Sequence, residues 1–223
     1  MQDVGDAIRR RPGMGTLVAV LGMTTLLGGT ARADLVAGWN FNGLDSTSVW
    51  LPSNHGDAWI DLGPIHPSSH LYSGTVLNAP SEWRAGEALG FQGSTVESGA
   101  MLLGIESGSL DPGFGKPVHL SFAARRSETG FDRVLVESWS GGSWTMVESL
   151  DIQTEWSRHE VSPVSIDPLS GLLLRITMEG SASNLGTIRF DNLRIDSTPI
   201  PSPATAALVG VGGLVGIGGR RRR

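Results

Sequence analysis

The sequence predicts an all-β domain, an antiparallel β-sandwich of the jelly-roll kind, flanked by an N-terminal signal helix and a C-terminal transmembrane-like helix. Three observations predict it. Between Asp34 and Ser197, short alternating runs of apolar and polar residues recur between clusters of Gly, Pro, Ser and Asp, with little helical periodicity. The 223 residues contain no cysteine, so burial alone must hold the fold, and thiol catalysis and thiolate metal sites are excluded. The two ends, residues 1–33 and 198–223, carry apolar runs beside arginine clusters, the pattern of addresses rather than of a core.

Residues 1–33 have the order of a secretory signal peptide. Arg9, Arg10 and Arg11 supply the positive start and Met14 to Leu27 the apolar stretch. Ala31 and Ala33 are the small residues of a cleavage site, which predicts cutting before Asp34 by signal peptidase. A permanent N-terminal membrane anchor is the competing reading.

Residues 34–197 form the predicted sandwich. "LVAGWNF" (Leu35 to Phe41) opens it, and in "PVHLSFAARR" Val118, Leu120, Phe122 and Ala124 share one face while His119, Ser121, Ala123 and Arg125 share the other. That alternation is the mark of a half-buried antiparallel strand. "RVLVESW", "WTMVESL", "EWSRHEV", "GLLLRITM" and "GTIRFDNLRI" follow as further strands.

Within "SWSGGSWT", Gly141 and Gly142 fit a two-residue I′ or II′ turn. Ser140 then pairs with Ser143, and Trp139 meets Trp144 across the hairpin. The pair has two readings: an exposed platform for sugar rings, or a structural cross-strand contact worth about 0.5–1.5 kcal/mol beyond burial. In the last strand, Ile188 and Phe190 share a face that unbroken alternation would deny to Leu193 and Ile195. A β-bulge at Asp191–Asn192 restores both apolar pairs to the core.

"FDNLRI" resembles the closing strand of carbohydrate-binding jelly-roll modules. In some such modules an Asp at this place helps to hold a structural calcium, which makes Asp191, with Asn42 and Asp45 near the first strand, candidate metal ligands. Calcium needs six to eight oxygens. The bland alternative is an Asx-type turn that satisfies the bulge backbone.

Other constellations fail. His66 and His70 in "HPSSH" are separated by Pro67 and two serines, which places them in a loop without an acidic partner set for zinc. Glu148, Asp151 and Glu155 fit a solvated strand end and its connecting loop. No Gly-x-Ser-x-Gly elbow and no phosphate-cradling loop occurs, so no catalytic residue is assigned.

Between Asp34 and Ser197, nine basic residues stand against twenty acidic ones, a net charge near −11 with Lys116 as the lone lysine. Nucleic acid and anionic membrane both require a basic surface and are poor partners for such a domain. Neutral glycans and divalent cations remain compatible.

The tail, "PIPSPATAALVGVGGLVGIGGRRRR", runs from a Pro-Ser-Pro step through an apolar stretch to Arg220, Arg221, Arg222 and Arg223. As a helix, Thr205 to Gly219 would reach about 22 Å, short of the roughly 30 Å hydrocarbon core. Four arginines would hold its end on the cytoplasmic side. A transient signal read at the membrane fits better than a standing anchor. The order of parts resembles the PEP-CTERM sorting signal, with Pro201, Ser202 and Pro203 at the Pro-Glu-Pro motif and Ser202 in place of Glu. The resemblance implies processing by an exosortase-type membrane protease, transient membrane association, and delivery to the cell surface or an extracellular polysaccharide matrix.

The sequence therefore describes an exported, non-catalytic surface or matrix protein associated with polysaccharide. A carbohydrate-binding or carbohydrate-active accessory module and a self-associating envelope protein stay open beside it.

Overall fold

The computed structural model describes residues 33–45, 47–93, 100–109, 117–166 and 170–197. The predicted signal helix and transmembrane-like helix, with Ala31, Pro201, Ser202, Pro203 and Arg220 to Arg223, lie outside them.

Twelve strands follow one another among the described residues: β1 (Leu35–Trp39), β2 (Trp50–Pro52), β3 (Trp59–Asp61), β4 (Ser69–Ser73), β5 (Glu87–Gln92), β6 (Ala100–Ile105), β7 (Val118–Arg126), β8 (Arg133–Ser140), β9 (Ser143–Asp151), β10 (Ser157–Glu160), β11 (Leu172–Glu179) and β12 (Thr187–Ser197). They form two antiparallel sheets. Sheet I has the order β10-β7-β12-β5-β4, and β1 joins the same strand, β12. Sheet II has the order β2-β3-β6-β11-β8-β9. The domain's first and last strands pair, with Trp39 opposite Leu193 and Ala37 opposite Ile195.

Alternation decides which residues meet between the sheets. Met101, Leu103 and Ile105 of β6, Leu174, Ile176 and Met178 of β11, and Val134 and Val136 of β8 are all buried, while their neighbours in sequence point outward. From sheet I, Phe91, Phe122 and Phe190 meet edge to face, with centroids 6.2 Å and 5.5 Å apart. Such offset contacts match the ring quadrupoles. Trp39 is buried, and its indole N–H donates to the Leu51 carbonyl at 3.2 Å, which ties β1 of one sheet to β2 of the other.

The predicted hairpin and bulge are both present. Gly141 and Gly142 have φ of 60° and 87°, positive values that a two-residue hairpin turn of type I′ requires. Ser140 pairs with Ser143 and Trp139 with Trp144. In β12 the register slips between Asp191 and Arg194, Asn192 takes φ 48°, and Ile188, Phe190, Leu193 and Ile195 are all completely buried.

Two expectations need correction. Val118, Leu120, Phe122 and Ala124 do line the core, but Ser121 and Ala123 on the other face of β7 are buried as well. A connection folded over that face explains it, since Asn78 hydrogen-bonds the Ser121 hydroxyl. His66 and His70 do not share a loop: His66 lies in a short 3-10 helix, Gly63–Ser68, and His70 stands exposed on β4.

Candidate functional site

The outward face of sheet II gathers four of the chain's seven tryptophans. Register places them in two adjacent rows. In the first row Pro52, Trp59, Gly104 and Leu173 stand opposite one another in turn, and the row continues to Trp139 and Trp144. The second row runs Trp50, Asp61, Leu102, Arg175, Glu137, Met146.

Each end of this face carries an aromatic pair. Trp50 and Trp59 stack with centroids 4.5 Å apart and planes inclined by 23°. A Cβ on Gly104 would collide with the Trp59 indole, so the missing side chain lets that ring lie across β6. Trp50 remains half exposed. At the other end, Trp139 and Trp144 meet at 5.2 Å and 63°, an edge contact that leaves Trp139 exposed.

Between the pairs sits a rigid polar element. The Arg175 guanidinium donates to both Glu137 carboxylate oxygens at 2.6 Å and 2.8 Å, and it lies 4.5 Å from the Trp144 ring centroid. A fork-to-carboxylate pair has fixed geometry as well as charge. The Arg175 hydrogen bonds hold the Glu137 carboxyl below its usual range, and the same bonds raise Arg175. From β3 to β8 is three inter-strand steps, about 14 Å, so the two aromatic pairs are set apart by the length of a short oligosaccharide. The hairpin tip also borders a groove of about 650 Å³ whose lining includes Ser138, Thr145, Ser162 and Ser165.

Of the predicted metal ligands, Asp191 and Asn42 flank the hydrogen-bonded glycines Gly74 and Gly86, each with a side-chain oxygen where a glycine Cβ would stand. Asp191 is buried in sheet I, and its oxygens accept from the backbone N–H groups of Thr75 at 2.6 Å and Asn192 at 2.7 Å. Asn42 accepts from the Glu87 N–H and donates to the Arg84 carbonyl. Asp45 receives the N–H and hydroxyl of Thr47. Among the described residues, no group of three or more His, Asp or Glu could hold a metal ion. Asp191 pins the segment that follows β4 through the Thr75 N–H and holds the Asn192 N–H within the bulge. Asn192 joins it, donating to the carbonyls of Thr75 and Leu77.

Burial pushes the Asp191 carboxyl up to about 6, against the two N–H bonds that favour its charged form. A general acid needs such a value, yet this carboxyl is buried under a loop with both oxygens engaged by backbone N–H groups.

Sequence reasoning found Trp139 and Trp144 because a Gly-Gly turn marks their register. It missed Trp50 and Trp59, whose strands have three residues each and no legible alternation. It missed Arg175 and Glu137 as a pair because they are far apart in sequence. The one local signal was the lone arginine interrupting "LLLRITM".

No family model matches the chain, and no curated protein matches it. Solved structures similar to it include the CBM22-1 xylan-binding domain of Paenibacillus barcinonensis Xyn10C, 15% identical with a TM-score of 0.46, which covers 77% of this chain and 99% of that one. A CBM29-2 mutant complexed with cellulohexaose is 17% identical with a TM-score of 0.40, covering 76% and 93% of the two chains. TmCBM61 in complex with β-1,4-galactotriose is 14% identical with a TM-score of 0.41, covering 63% and 88%. Likenesses this distant decide nothing about what this chain binds.

Proposed function

We propose that this protein is a non-catalytic polysaccharide-binding module, exported and carried to the cell surface or extracellular matrix. One observation carries the binding reading: two tryptophan pairs lie on one outward sheet face, with a fixed guanidinium–carboxylate pair between them. Flat apolar rings match the C–H faces of sugars, and the charged pair offers directional acceptors and donors for hydroxyls. The acidic balance of the domain favours an uncharged chain on this face.

Two further elements support the address. The tripartite leader ending at Ala33 and the Pro-Ser-Pro, apolar, tetra-arginine tail fit signal peptidase and an exosortase-type protease in turn. Among the described residues no helix is long and apolar enough to cross a membrane. Intact mass of the mature chain tests the address, since both cleavages leave a chain beginning at Asp34 and lacking the arginines.

Binding is tested by affinity electrophoresis in gels containing xylan, glucomannan or galactan. The wild-type chain is retarded by at least one of them, and the Trp50→Ala/Trp139→Ala/Trp144→Ala variant loses at least tenfold in affinity. A wild-type chain that ignores every neutral polysaccharide, or a triple variant that binds unchanged, overturns the reading in favour of an envelope coat. Release of reducing ends from any polymer overturns the non-catalytic part.

A further inference from the structure

The outward face of sheet I carries a different chemistry. Arg125 of β7 and Arg189 of β12 stand directly opposite each other in the antiparallel register. Like charges so placed have Cβ atoms about 5 Å apart and destabilise the sheet unless something neutralises them. Among the described residues, Arg133, Arg158, Arg175 and Arg194 each have a carboxylate within ion-pair distance, and Arg125 and Arg189 have none.

The neighbouring groups position this pair without cancelling it. A Cβ on Gly90 would collide with the Tyr72 ring, so Tyr72 lies across β5, and the Arg189 guanidinium rests 4.3 Å from its centroid. Arg158 on β10 adds a third cation, held by Glu160 at 2.6 Å. Asp191, two residues along β12, is buried with its oxygens turned to the Thr75 and Asn192 amides. Glu87, on β5, gives an oxygen to the Gly43 N–H. In a domain with twenty acidic residues, an uncompensated arginine pair on one half-exposed face is a local reversal of charge.

We infer that Arg125 and Arg189 form a docking site for a carboxylate-bearing sugar, with an acidic polysaccharide of the polyuronate class as its occupant. Two guanidinium forks one strand apart suit a single planar carboxylate, which can accept from both. The patch holds one carboxylate at a time, which suits a single uronate residue at the site and gives no row of cations to follow the successive phosphates of nucleic acid or an anionic bilayer. The inference does not rest on the tryptophan face of sheet II, and either can fail alone.

The test uses the full-length chain and polygalacturonate, with dextran sulfate, duplex DNA and phosphatidylglycerol vesicles as parallel arms. Retardation by polygalacturonate is expected to weaken at least tenfold in Arg125→Gln/Arg189→Gln. The charge-matched Arg84→Gln/Arg133→Gln variant is expected to bind as wild type. Thermal unfolding checks that both fold; if the double variant does not, Arg125→Gln alone is expected to lose at least threefold. Absence of polygalacturonate binding by the wild type overturns the inference. So do an equal loss in both double variants and tighter binding to dextran sulfate, DNA or vesicles. Neutral-polysaccharide retardation in the same arginine variants is expected to stay unchanged, which separates this site from sheet II.

Discussion

The two outward faces of the sandwich are built by the same period-two alternation and end in opposite conditions. On sheet II the face is open: Trp50, Trp139 and Met146 are about half exposed. On sheet I the connection between β4 and β5 folds back over much of the face. Asn78 donates to the Asn192 carbonyl and to Ser121, Asn192 donates to Thr75 and Leu77, and a Cβ on Gly38 would collide with the Trp83 ring. Arg125 and Arg189 lie beyond that cover and stay half exposed. Alternation says which residues leave the core, and the connections decide whether they reach water.

The largest expected effect breaks the cover on sheet I. Asn192 sits at φ 48°, which Asn tolerates better than most residues, and its amide satisfies two carbonyls in a buried setting. Asn192→Ala strands both, and stability measured by urea unfolding is expected to fall by about 3 kcal/mol. An Asn192→Gly variant keeps the backbone at ease and is expected to recover about 1 kcal/mol of that loss. Equal stability of the wild type and the alanine variant would mean the loop is not held by this residue.

Titration sharpens the contrast, because one carboxyl on each sheet responds with opposite sign. Asp191 is raised from 3.8 to about 6, so the folded state holds a proton that the unfolded chain releases. Its contribution is fully present below about pH 4 and is lost as pH rises toward 6, amounting to about 3 kcal/mol across that window. Glu137 is depressed by Arg175, so its contribution is present above its ordinary value of 4.5 and is lost as pH falls through its lowered folded value. Unfolding free energies across pH 3 to 7 for Asp191→Asn and Glu137→Gln should each remove one of these slopes. If Asp191→Asn leaves the decline between pH 4 and 6 in place, the buried carboxyl is not its source.

The smallest expected effect compares the two glycines that let a ring lie flat. Gly104→Ala displaces Trp59 and Gly90→Ala displaces Tyr72, each at a cost of about 1–2 kcal/mol in thermal unfolding. The binding consequences should divide. Gly104→Ala is expected to weaken neutral-polysaccharide retardation while leaving acidic-polysaccharide retardation intact, and Gly90→Ala the reverse. Identical binding profiles for the two variants would erase the distinction between the faces.

Much of the sandwich was legible because its longer strands announce themselves. β7, β8, β9, β11 and β12 have eight or more residues each, long enough for alternation to show. β2 and β3 have three residues each, below the length at which a period of two can be recognised, and Trp50 and Trp59 were lost with them. Asp191 drew attention for the right reason, the phase change at the bulge. Its partners are backbone amides more than a hundred positions away or next door, and no spacing rule names them.

Alone, the chain of residues settled the all-β class, the Gly141–Gly142 hairpin, the bulge and the absence of thiol chemistry, since these depend on local steric preference and on which side chains avoid water. Tertiary structure alone decided that four tryptophans share one face, that Arg175 locks to Glu137 between them, and that Arg125 meets Arg189 with no carboxylate beside them among the described residues. Those are register effects. Pairing energies between distant strands set the register, and a shift of one residue would have turned every one of these side chains to the other face.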